Sequence, residues 1–475
     1  MIYDQLYKKF KTPNRLLAGV IGSGHYGTAI VTQSVDSTYL RIPIVADQNI
    51  GKARMAYMRA GLSDGQVVDC DSVGAAKLVI ESGKYAVVED PMILMDLPLD
   101  VIVESTGIAE AGAGYALAAI NHGKHVAMGN KEADSAVGPI LQHLAKQRGL
   151  VYTQVDGDQP GLLIGLVYWA KSLGLEVVAA GKSRAVEFVL DRRSGIVTCA
   201  ADGVTVPETK TVQLSAREID LFDELTYGDV AKCIQARRDL LKTLPSAEGY
   251  DYCESVIVAN ATGLVPDVPR LHNPVVRIAD IPNVLCPKEE GGVLARSGVI
   301  EIVDCFRDKF EAGLGGGVFV VVSCANDYSR MILTTKGLIA NRSGKSALIY
   351  RPYHLCGVET STSILCAGLA GISTGSDVYV PRFDIVRSAR CALRAGYVFG
   401  ADHDQNLTTT MLAASGSMSP GVPVPAHLLD NQKLLCDAPA GTMITFDMVA
   451  RPAESVLWSL RDLQNNTFLQ ERLPA

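Results

Sequence analysis

The first 156 residues repeat one pattern: a short run of apolar or β-branched residues, a turn, and an alanine-rich amphipathic stretch. This alternation is typical of βαβ units, in which helices connect the strands of a parallel sheet and cover it. The pattern predicts strands at Leu16–Ile21, Ile42–Ala46, Val101–Glu104, His125–Met128 and Val151–Val155. It predicts helices at Gly51–Ala60, Gly112–His122 and Ser135–Arg148.

The rhythm changes after Asp156. A charged helix is predicted at Ala216–Lys242, and a returning helix at Glu359–Ala370 that packs on the first domain. Longer strands are predicted at Glu176–Gly181, Ser255–Ala259, Val299–Val303 and Val318–Ser323. Prolines and short strands dominate from about Gly375. We therefore predict an α/β chain in three parts: a parallel α/β domain at 1–156, an α+β domain at 157–374, and a small β-rich module at 375–475.

A glycine-rich turn follows the first predicted strand. Its residues are Gly22, Ser23, Gly24, His25, Tyr26 and Gly27. A helix-compatible segment comes next, and Asp47 stands about 20 positions on, at the end of the following strand. This context predicts a Rossmann domain whose turn holds the diphosphate of NAD(P)H on backbone N–H groups. A glycine turn without ligand is the alternative.

The preference between NAD and NADP stays open. Asp47 favours NAD, since a carboxylate at this place hydrogen-bonds the ribose 2′-hydroxyl. Lys52 and Arg54 are cations that suit a 2′-phosphate instead, although Gln48 stands where an arginine would have favoured NADP.

Polar residues follow several strands of the predicted parallel sheet, at the edge where such sheets bind ligands. Ser105, Thr106, Gly107 and Asn130 are expected to contact the cofactor there. The next residue, Lys131, is placed to polarise a carbonyl during hydride transfer. The alternative for each is an ordinary polar strand end.

Two further residues are expected to take part in catalysis. Asp158 follows the last strand of the first domain, where it can orient Lys131 or accept a proton. Lys182 closes a strand of the second domain together with Arg184, and the two cations suit a substrate carboxylate, phosphate or developing alkoxide. A turn aspartate and a solvated strand end are the alternatives.

Composition narrows the class of protein. A net charge of −7 gives no electrostatic reason to expect nucleic acid, and no membrane anchor or signal peptide is indicated. Eleven cysteines without a Cys-x-x-Cys pair suggest reduced thiols and a cytoplasmic location. No His-Glu-x-x-His motif is present, so no metal is expected. The expected partners are a small-molecule substrate and further copies of the chain, paired across a twofold axis through the mixed sheet of the second domain.

The first 160 residues resemble homoserine dehydrogenases. The likeness is carried by the glycine turn, by Ser105-Thr106-Gly107 and by the pair Asn130-Lys131. In that family the corresponding lysine lies beside nicotinamide and substrate. The aspartate and lysine that homoserine dehydrogenases carry on one helix of their substrate domain have no clear counterpart here, which argues against homoserine as the substrate.

Over nearly the whole length, the chain is similar to homoserine-dehydrogenase-like proteins with a C-terminal SAF domain. The similarity is carried by residues 156–161, 315–319, 350–360 and, for the SAF module, 387–396. That group includes deoxyxylulose-phosphate-reductoisomerase-like enzymes and oxidoisomerases of branched sugar acids. The resemblance implies an NAD(P)-dependent reductoisomerase or oxidoisomerase of a small hydroxy-carbonyl compound, such as a deoxyketose phosphate or sugar acid. A simple homoserine-type alcohol dehydrogenase and a non-catalytic nucleotide- or sugar-binding protein are the alternatives.

Overall fold

A computed structural model describes residues 2–10, 14–203, 206–223, 225, 229–402 and 404–470. The chain divides into two compact units. The first comprises Met1–Gly161, Leu355–Leu407 and Ala413–Ala475, and the second comprises Leu162–His354 and Thr408–Leu412. None of the helices in the described ranges combines the length and hydrophobicity needed to cross a membrane.

A parallel sheet of seven strands forms the centre of the first unit. Its strands are β1 (Leu16–Ile21), β2 (Leu40–Ala46), β3 (Val67–Asp69), β4 (Tyr85–Val88), β5 (Val101–Glu104), β6 (His125–Met128) and β7 (Tyr152–Gln154). The helices around them are α1 (Ile2–Phe10), α2 (His25–Ser34), α3 (Ile50–Arg59), α4 (Val73–Glu81), α5 (Ala109–Asn121) and α6 (Lys131–Gln147). The prediction of a parallel α/β domain is confirmed.

The strand order, β3-β4-β2-β1-β5-β6-β7, is that of a Rossmann fold with one extra strand, β3, at the edge. The chain reverses its direction of progress across the sheet between β1 and β5, which are direct parallel neighbours. The crevice beyond the carboxyl ends of these two strands is where open α/β sheets bind their ligands. The residues that follow Ile21 and Glu104 are therefore the first candidates for a ligand-binding site.

The second unit is built on a ten-stranded mixed sheet. Its strands are β8 (Glu176–Ser183), β9 (Phe188–Asp191), β10 (Ile196–Cys199), β11 (Lys210–Gln213), β12 (Val265–Pro266), β13 (Val275–Val276), β14 (Val299–Asp308), β15 (Val318–Ser323), β16 (Ile339–Ala340) and β17 (Ser346–Arg351). Its helices are α7 (Gln159–Ser172), which begins in the first unit, α8 (Ala216–Asp223), α9 (Val230–Leu240), α10 (Gly249–Thr262), α11 (Ile281–Val284) and α12 (Asp327–Thr335). The α+β prediction agrees with this sheet.

One predicted strand of this unit is wrong. Residues Ser255–Ala259 lie within α10, whose residues are all buried. A helix that is buried on every side has no polar face, so its sequence shows no 3.6-residue period and a short apolar segment of it looks like a strand. The charged stretch predicted as one helix at Ala216–Lys242 contains α8 and α9, with residues 224 and 226–228 outside the described ranges.

The C-terminal part of the chain contributes α13 (Thr360–Leu365), β18 (Phe383–Ala389), β19 (Leu407–Ala413) and α14 (Val456–Gln470). Strands β18 and β19 form a small two-stranded sheet. Ile364, Leu365 and Cys366 join the buried core formed by the first sheet and its helices. Apolar burial thus fixes the α13 segment to the seven-stranded sheet and its helices, although more than 200 residues separate it from β7.

Candidate active site

The glycine turn between β1 and α2 is tightly packed at its two ends and open in its middle. Gly22 has φ of +90°, and a Cβ there would lie 2.7 Å from the carbonyl oxygen of Ser105. At Gly27 a Cβ would lie only 1.9 Å from the Gly22 carbonyl oxygen. A Cβ at Gly24, by contrast, would meet nothing within 4 Å. The outer two glycines are therefore required for packing, and Gly24 leaves open space at the N-terminus of α2.

Asp47, which ends the second strand, holds this turn in place. One of its carboxylate oxygens accepts the Ser23 N–H at 2.8 Å and the Ser23 hydroxyl at 2.6 Å. The other accepts the Asn49 N–H at 2.8 Å. Partial burial opposes ionisation, but these hydrogen bonds hold the pKa of Asp47 below its ordinary value. Asp47 is therefore a carboxylate at neutral pH.

A cavity of about 270 Å³ opens beside the turn. Five of the predicted cofactor residues line it: Gly22, Gly24, Asp47, Ser105 and Thr106. Lys52 and Gln48 line it as well. Arg54, the other cation considered for a 2′-phosphate, does not line it and instead pairs with Asp64 at 2.7 Å and Asp69 at 2.6 Å. Ser23 is a buried residue of the turn, whereas His25, the first residue of α2, is exposed.

Ser105 and Asn130 brace the loop that follows β5. The Ser105 hydroxyl donates to the carbonyl oxygens of Ile21 and Gly22, both at 2.9 Å. Asn130 is completely buried, and its side-chain amide donates to the hydroxyl of Thr106 at 3.1 Å. Its carbonyl oxygen caps α6 by accepting the Ala133 N–H. The geometry gives Asn130 a positioning role behind Thr106.

Glu104, the last residue of β5, is a buried acid that the sequence analysis left without a role. It is 0% exposed, and its carboxylate accepts the Thr106 N–H at 3.1 Å. Burial raises the pKa of Glu104 to about 7, and the hydrogen bonds it accepts only partly oppose this. The backbone of the loop that follows β5 is thus held by a titratable side chain.

Lys131 is the first residue of α6 and follows the capping Asn130. It lies three residues after β6, at the edge of the sheet formed by the carboxyl ends of the strands. Glu132, the next residue, is largely buried, and this burial raises its pKa although the charge of Lys131 opposes the rise.

Asp158 lies at the same edge, after β7. Its charge and, more strongly, burial raise the pKa of Tyr26 well above the ordinary value. The Tyr26 hydroxyl lies 2.8 Å from the Thr360 hydroxyl, which donates to the carbonyl oxygen of Asp156 at 2.8 Å. Because Thr360 has one proton, Tyr26 is the donor to it. Tyr26 thus links the glycine turn to the segment after β7.

Lys182 is the centre of a buried ion-pair cluster in the second unit. Its ammonium nitrogen lies 2.9 Å from a carboxylate oxygen of Asp251 and also contacts Glu254. The side chains of these three residues are at most 5% exposed. Arg184 pairs with Asp251 at 3.1 Å and with Asp304 at 3.3 Å. Both cations predicted from the sequence are therefore neutralised by carboxylates within their own unit.

The acidic partners in this cluster were not predicted from the sequence. Asp251 and Glu254 are three residues apart on α10, so their side chains project from the same helix face towards Lys182. Burial opposes ionisation of Asp251, but Lys182 and Arg184 hold its pKa below the ordinary value. Two acids inside an otherwise apolar segment were the available signal. Because Ser255–Ala259 was predicted as a strand, the helix that brings these two acids together was not recognised.

A second cavity, of about 380 Å³, lies elsewhere in the first unit. The loop Gly107–Glu110 forms one wall, and His427 and Asp430 contribute to another. The His427 ring lies 3.0 Å from a carboxylate oxygen of Asp430, and Arg387 pairs with Asp402 at 2.7 Å beside them. This acid–histidine cluster was not predicted: His427 and Asp430 are three residues apart, but Arg387 and Asp402 lie 25 or more positions before them in the chain.

Residues 249–360 match the family model for the catalytic domain of oxidoreductase DRL. The matched segment contains α10, with Asp251 and Glu254, and ends at Thr360. No curated protein matches the chain.

Several solved structures are similar to part of the chain. The 3-ketoreductase KijD10 from Actinomadura kijaniata, in complex with TDP-benzene and NADP, is 16% identical, with 37% of this chain and 47% of that chain covered and a TM-score of 0.26. Myo-inositol dehydrogenase from Lactobacillus casei, in complex with NAD(H) and myo-inositol, is 18% identical, with 38% and 49% covered and a TM-score of 0.26. The putative oxidoreductase yvaA from Bacillus subtilis is 15% identical, with 36% and 44% covered and a TM-score of 0.25.

The chain spans about half the length of these solved structures. The family match is more informative, because it falls on the segment that holds the buried acids of the second unit. It confirms, for residues 249–360, the prediction of an oxidoreductase catalytic domain.

Proposed function

We propose that the protein is an NAD(P)-dependent oxidoreductase that moves a hydride between the nicotinamide and a carbonyl carbon of a small polar substrate. The observation that carries the proposal is the open space at Gly24, beside a cavity lined by Asp47, Ser105 and Thr106. The family match to an oxidoreductase catalytic domain supports it independently.

The residues at the cavity fit a dinucleotide. Backbone N–H groups at the start of α2 face the open space at Gly24, and a helix N-terminus favours the negative charge of a diphosphate. Asp47 supplies a carboxylate for the ribose hydroxyls, and its negative charge disfavours a 2′-phosphate. NAD is therefore the proposed coenzyme. When bound, the nicotinamide accepts or supplies the hydride.

Lys131 and Asp158 are the proposed catalytic residues at the edge of the Rossmann sheet, Lys131 by polarising a carbonyl and Asp158 by orienting it. Lys182 was also predicted to be catalytic, and it stays a candidate, although Asp251 and Glu254 neutralise its charge within the second unit.

The finer proposal is reductoisomerisation of a deoxyketose phosphate or sugar acid, which couples the hydride transfer to a rearrangement of the carbon skeleton. It rests on the sequence resemblance to the homoserine-dehydrogenase-like group with a SAF module. The assignment of residues 375–475 to that module belongs to the same proposal.

Titration calorimetry of the full chain with NAD, NADH, NADP and NADPH tests the coenzyme assignment. We expect association with NAD and NADH, and no association with any of the four would overturn the proposal. Absorbance at the reduced-nicotinamide band with homoserine, 1-deoxyxylulose 5-phosphate and threonate then tests turnover. An NMR spectrum showing an unchanged carbon skeleton in the product would leave a simple dehydrogenase.

A further inference from the structure

The side chain of Tyr26 leaves the glycine turn and crosses the carboxyl ends of the parallel strands. Its backbone lies in the first turn of α2, directly after β1, and its ring lies against Gly129, which follows β6. A Cβ at Gly129 would lie 3.0 Å from the Cε1 atom of Tyr26 and 3.4 Å from its Cδ1 atom. The lack of a side chain at Gly129 therefore leaves room for the tyrosine ring at the end of β6.

The hydroxyl group of Tyr26 extends this crossing to the end of β7. It donates to the Thr360 hydroxyl at 2.8 Å, and Thr360 donates to the carbonyl oxygen of Asp156 at 2.8 Å. Asp156 lies two positions after the last residue of β7. Strands β5 and β6 lie between β1 and β7 in the sheet. One side chain therefore spans the sheet edge from β1 to β7.

The segment that supplies the threonine hydroxyl is itself fixed to this edge. The Gly357 N–H donates to the carbonyl oxygen of Gly157 at 3.3 Å, and the Asp156 N–H donates to the Ser363 hydroxyl at 2.8 Å. A Cβ at Gly357 would lie 2.6 Å from the carbonyl oxygen of Tyr26, so the segment packs directly on the first turn of α2. The tyrosine ring is thus held at both ends, and a group held in place before binding loses little freedom when a ligand packs on it.

The order of the strands sets the direction in which a dinucleotide would run. In the proposed function the diphosphate lies at the turn after β1, and Asp47, which follows β2, faces a ribose. Strand β2 lies on one side of β1, and strands β5, β6 and β7 lie on the other. The two halves of the coenzyme lie on either side of the diphosphate, so the half without the Asp47 contact extends over the ends of β5 and β6. The ring of Tyr26 lies at that place.

The chemistry of the ring suits nicotinamide. Tyr26 is partly exposed, and its hydroxyl is engaged with Thr360, so a ligand is recognised through the ring. Aromatic rings pack favourably on one another, and the face of a tyrosine ring also attracts positive charge. Oxidised nicotinamide is an aromatic ring that carries a positive charge, so it satisfies both preferences.

We propose that the nicotinamide ring of the coenzyme packs on the ring of Tyr26, which positions the reacting C4 atom at the end of β6. The inference rests on the proposed function and names the part of the sheet edge that receives the redox half of the coenzyme. Lys131 lies two positions after Gly129 at the same strand end, so the nicotinamide lies next to the residue proposed to polarise the substrate carbonyl. Thr360 takes part in the coenzyme site as a positioning residue, because it holds the tyrosine hydroxyl.

Calorimetry of the full chain with NAD and with ADP-ribose tests the proposal. ADP-ribose has the adenosine, the diphosphate and the second ribose, but it has no nicotinamide ring. In Tyr26→Leu, we expect the Kd for NAD to rise about three- to tenfold, which is typical for the loss of one aromatic pair. The Kd for ADP-ribose should stay within a factor of about two. Tyr26→Phe keeps the ring and loses only the hydroxyl, so it should bind NAD more tightly than Tyr26→Leu does.

Tyr39→Leu is the matched control. Tyr39 is a partly exposed tyrosine of the same unit, and it directly precedes β2, at the opposite edge of the sheet. Its replacement should change neither Kd. Equal losses of NAD and ADP-ribose affinity in Tyr26→Leu would show that the side chain only supports the glycine turn, and two unchanged Kd values would show that nothing packs on it. Either result overturns the inference and leaves the proposed function intact.

Proton NMR of the NAD complex gives a second measurement that does not depend on affinities. In the unmodified chain, nuclear Overhauser effects should connect tyrosine ring protons with the nicotinamide ring protons. These effects should vanish in Tyr26→Leu and persist in Tyr39→Leu. Their absence from the unmodified complex, or their persistence in Tyr26→Leu, would make the assignment wrong. If neither ADP-ribose nor any of the four coenzymes binds to the unmodified chain, the proposed function itself fails.

Discussion

Ser23 donates both its backbone N–H and its hydroxyl to the same carboxylate oxygen of Asp47, at 2.8 and 2.6 Å. The residue expected to bind the coenzyme ribose therefore also holds the turn expected to bind the diphosphate. The Asp47 side chain is therefore expected to affect both the coenzyme preference and the shape of the glycine turn.

The Asp47→Asn variant should shift coenzyme preference towards NADP. The amide oxygen can still accept from Ser23, so the turn persists, while the negative charge that opposes a 2′-phosphate is gone. A pair of unit charges near a protein surface interacts by one to a few kcal/mol, so we expect the ratio of the NADP and NAD dissociation constants to change by about tenfold or more. Calorimetry of both coenzymes measures the ratio.

Asp71→Asn is the control, because it removes the same charge from an exposed position outside the cavity. An Asp47→Asn protein whose NADP to NAD ratio equals that of Asp71→Asn would show that Asp47 does not face the ribose.

Alanine at Gly24 and at Gly27 should have opposite consequences. A Cβ at Gly24 meets no protein atom within 4 Å, so the free protein should unfold at an unchanged temperature and bind coenzyme more weakly, since the methyl group occupies the cradle. A Cβ at Gly27 would lie 1.9 Å from the Gly22 carbonyl oxygen, so that variant should be destabilised by a few kcal/mol or fail to fold. Thermal unfolding with and without NADH distinguishes them. If Gly24→Ala bound coenzyme as tightly as the unmodified chain, the open space at Gly24 would not be the coenzyme site.

The first domain could be predicted closely from the sequence. The strands Leu16–Ile21, Val101–Glu104 and His125–Met128 have the bounds that the pattern indicated. Each is a short apolar run between a helix end and a polar turn, so local sequence and tertiary position agree. The short strands β3 and β4 were not predicted.

The acidic half of the second-unit cluster could not be predicted in the same way. Lys182 stood out at a predicted strand end, whereas Asp251 and Glu254 lay near an apolar segment whose helical nature was hidden by burial on all sides. Their proximity to Lys182 is set by the packing of α10 on the sheet, some 70 positions along the chain. Pairing of this kind arises from tertiary structure and leaves no local pattern.

Replacing Lys182 by methionine should destabilise the second unit. The lysine neutralises Asp251 and Glu254, and removing one partner of a buried ion pair leaves uncompensated charge that typically costs about 3–5 kcal/mol. Urea denaturation at pH 7.5 measures the loss. Lys182→Met combined with Glu254→Gln should recover part of it, because one of the stranded charges is removed as well. If the single variant were as stable as the unmodified chain, the carboxylates would not depend on Lys182.

Glu104 should make stability fall as the pH rises. Burial raises its pKa to about 7 in the folded chain from an ordinary value of 4.5, so the folded state binds more protons than the unfolded state between these values. The contribution of Glu104 to the free energy of unfolding is therefore complete below about pH 4.5, and it is lost as the pH rises through 7. Each proton of difference changes the free energy of unfolding by about 1.4 kcal/mol per pH unit.

Urea denaturation of Glu104→Gln at pH 5, 6, 7 and 8 should thus show a shallower decline in the free energy of unfolding than that of the unmodified chain. Some decline should remain, because Asp134 and Glu301 are buried acids with pKa values raised to about 7 as well. Glu81→Gln, at an exposed helix end, is the control and should retain the full slope. Parallel curves for Glu104→Gln and Glu81→Gln would mean that Glu104 is ionised throughout this range, and the loop after β5 would then rest on a permanent charge.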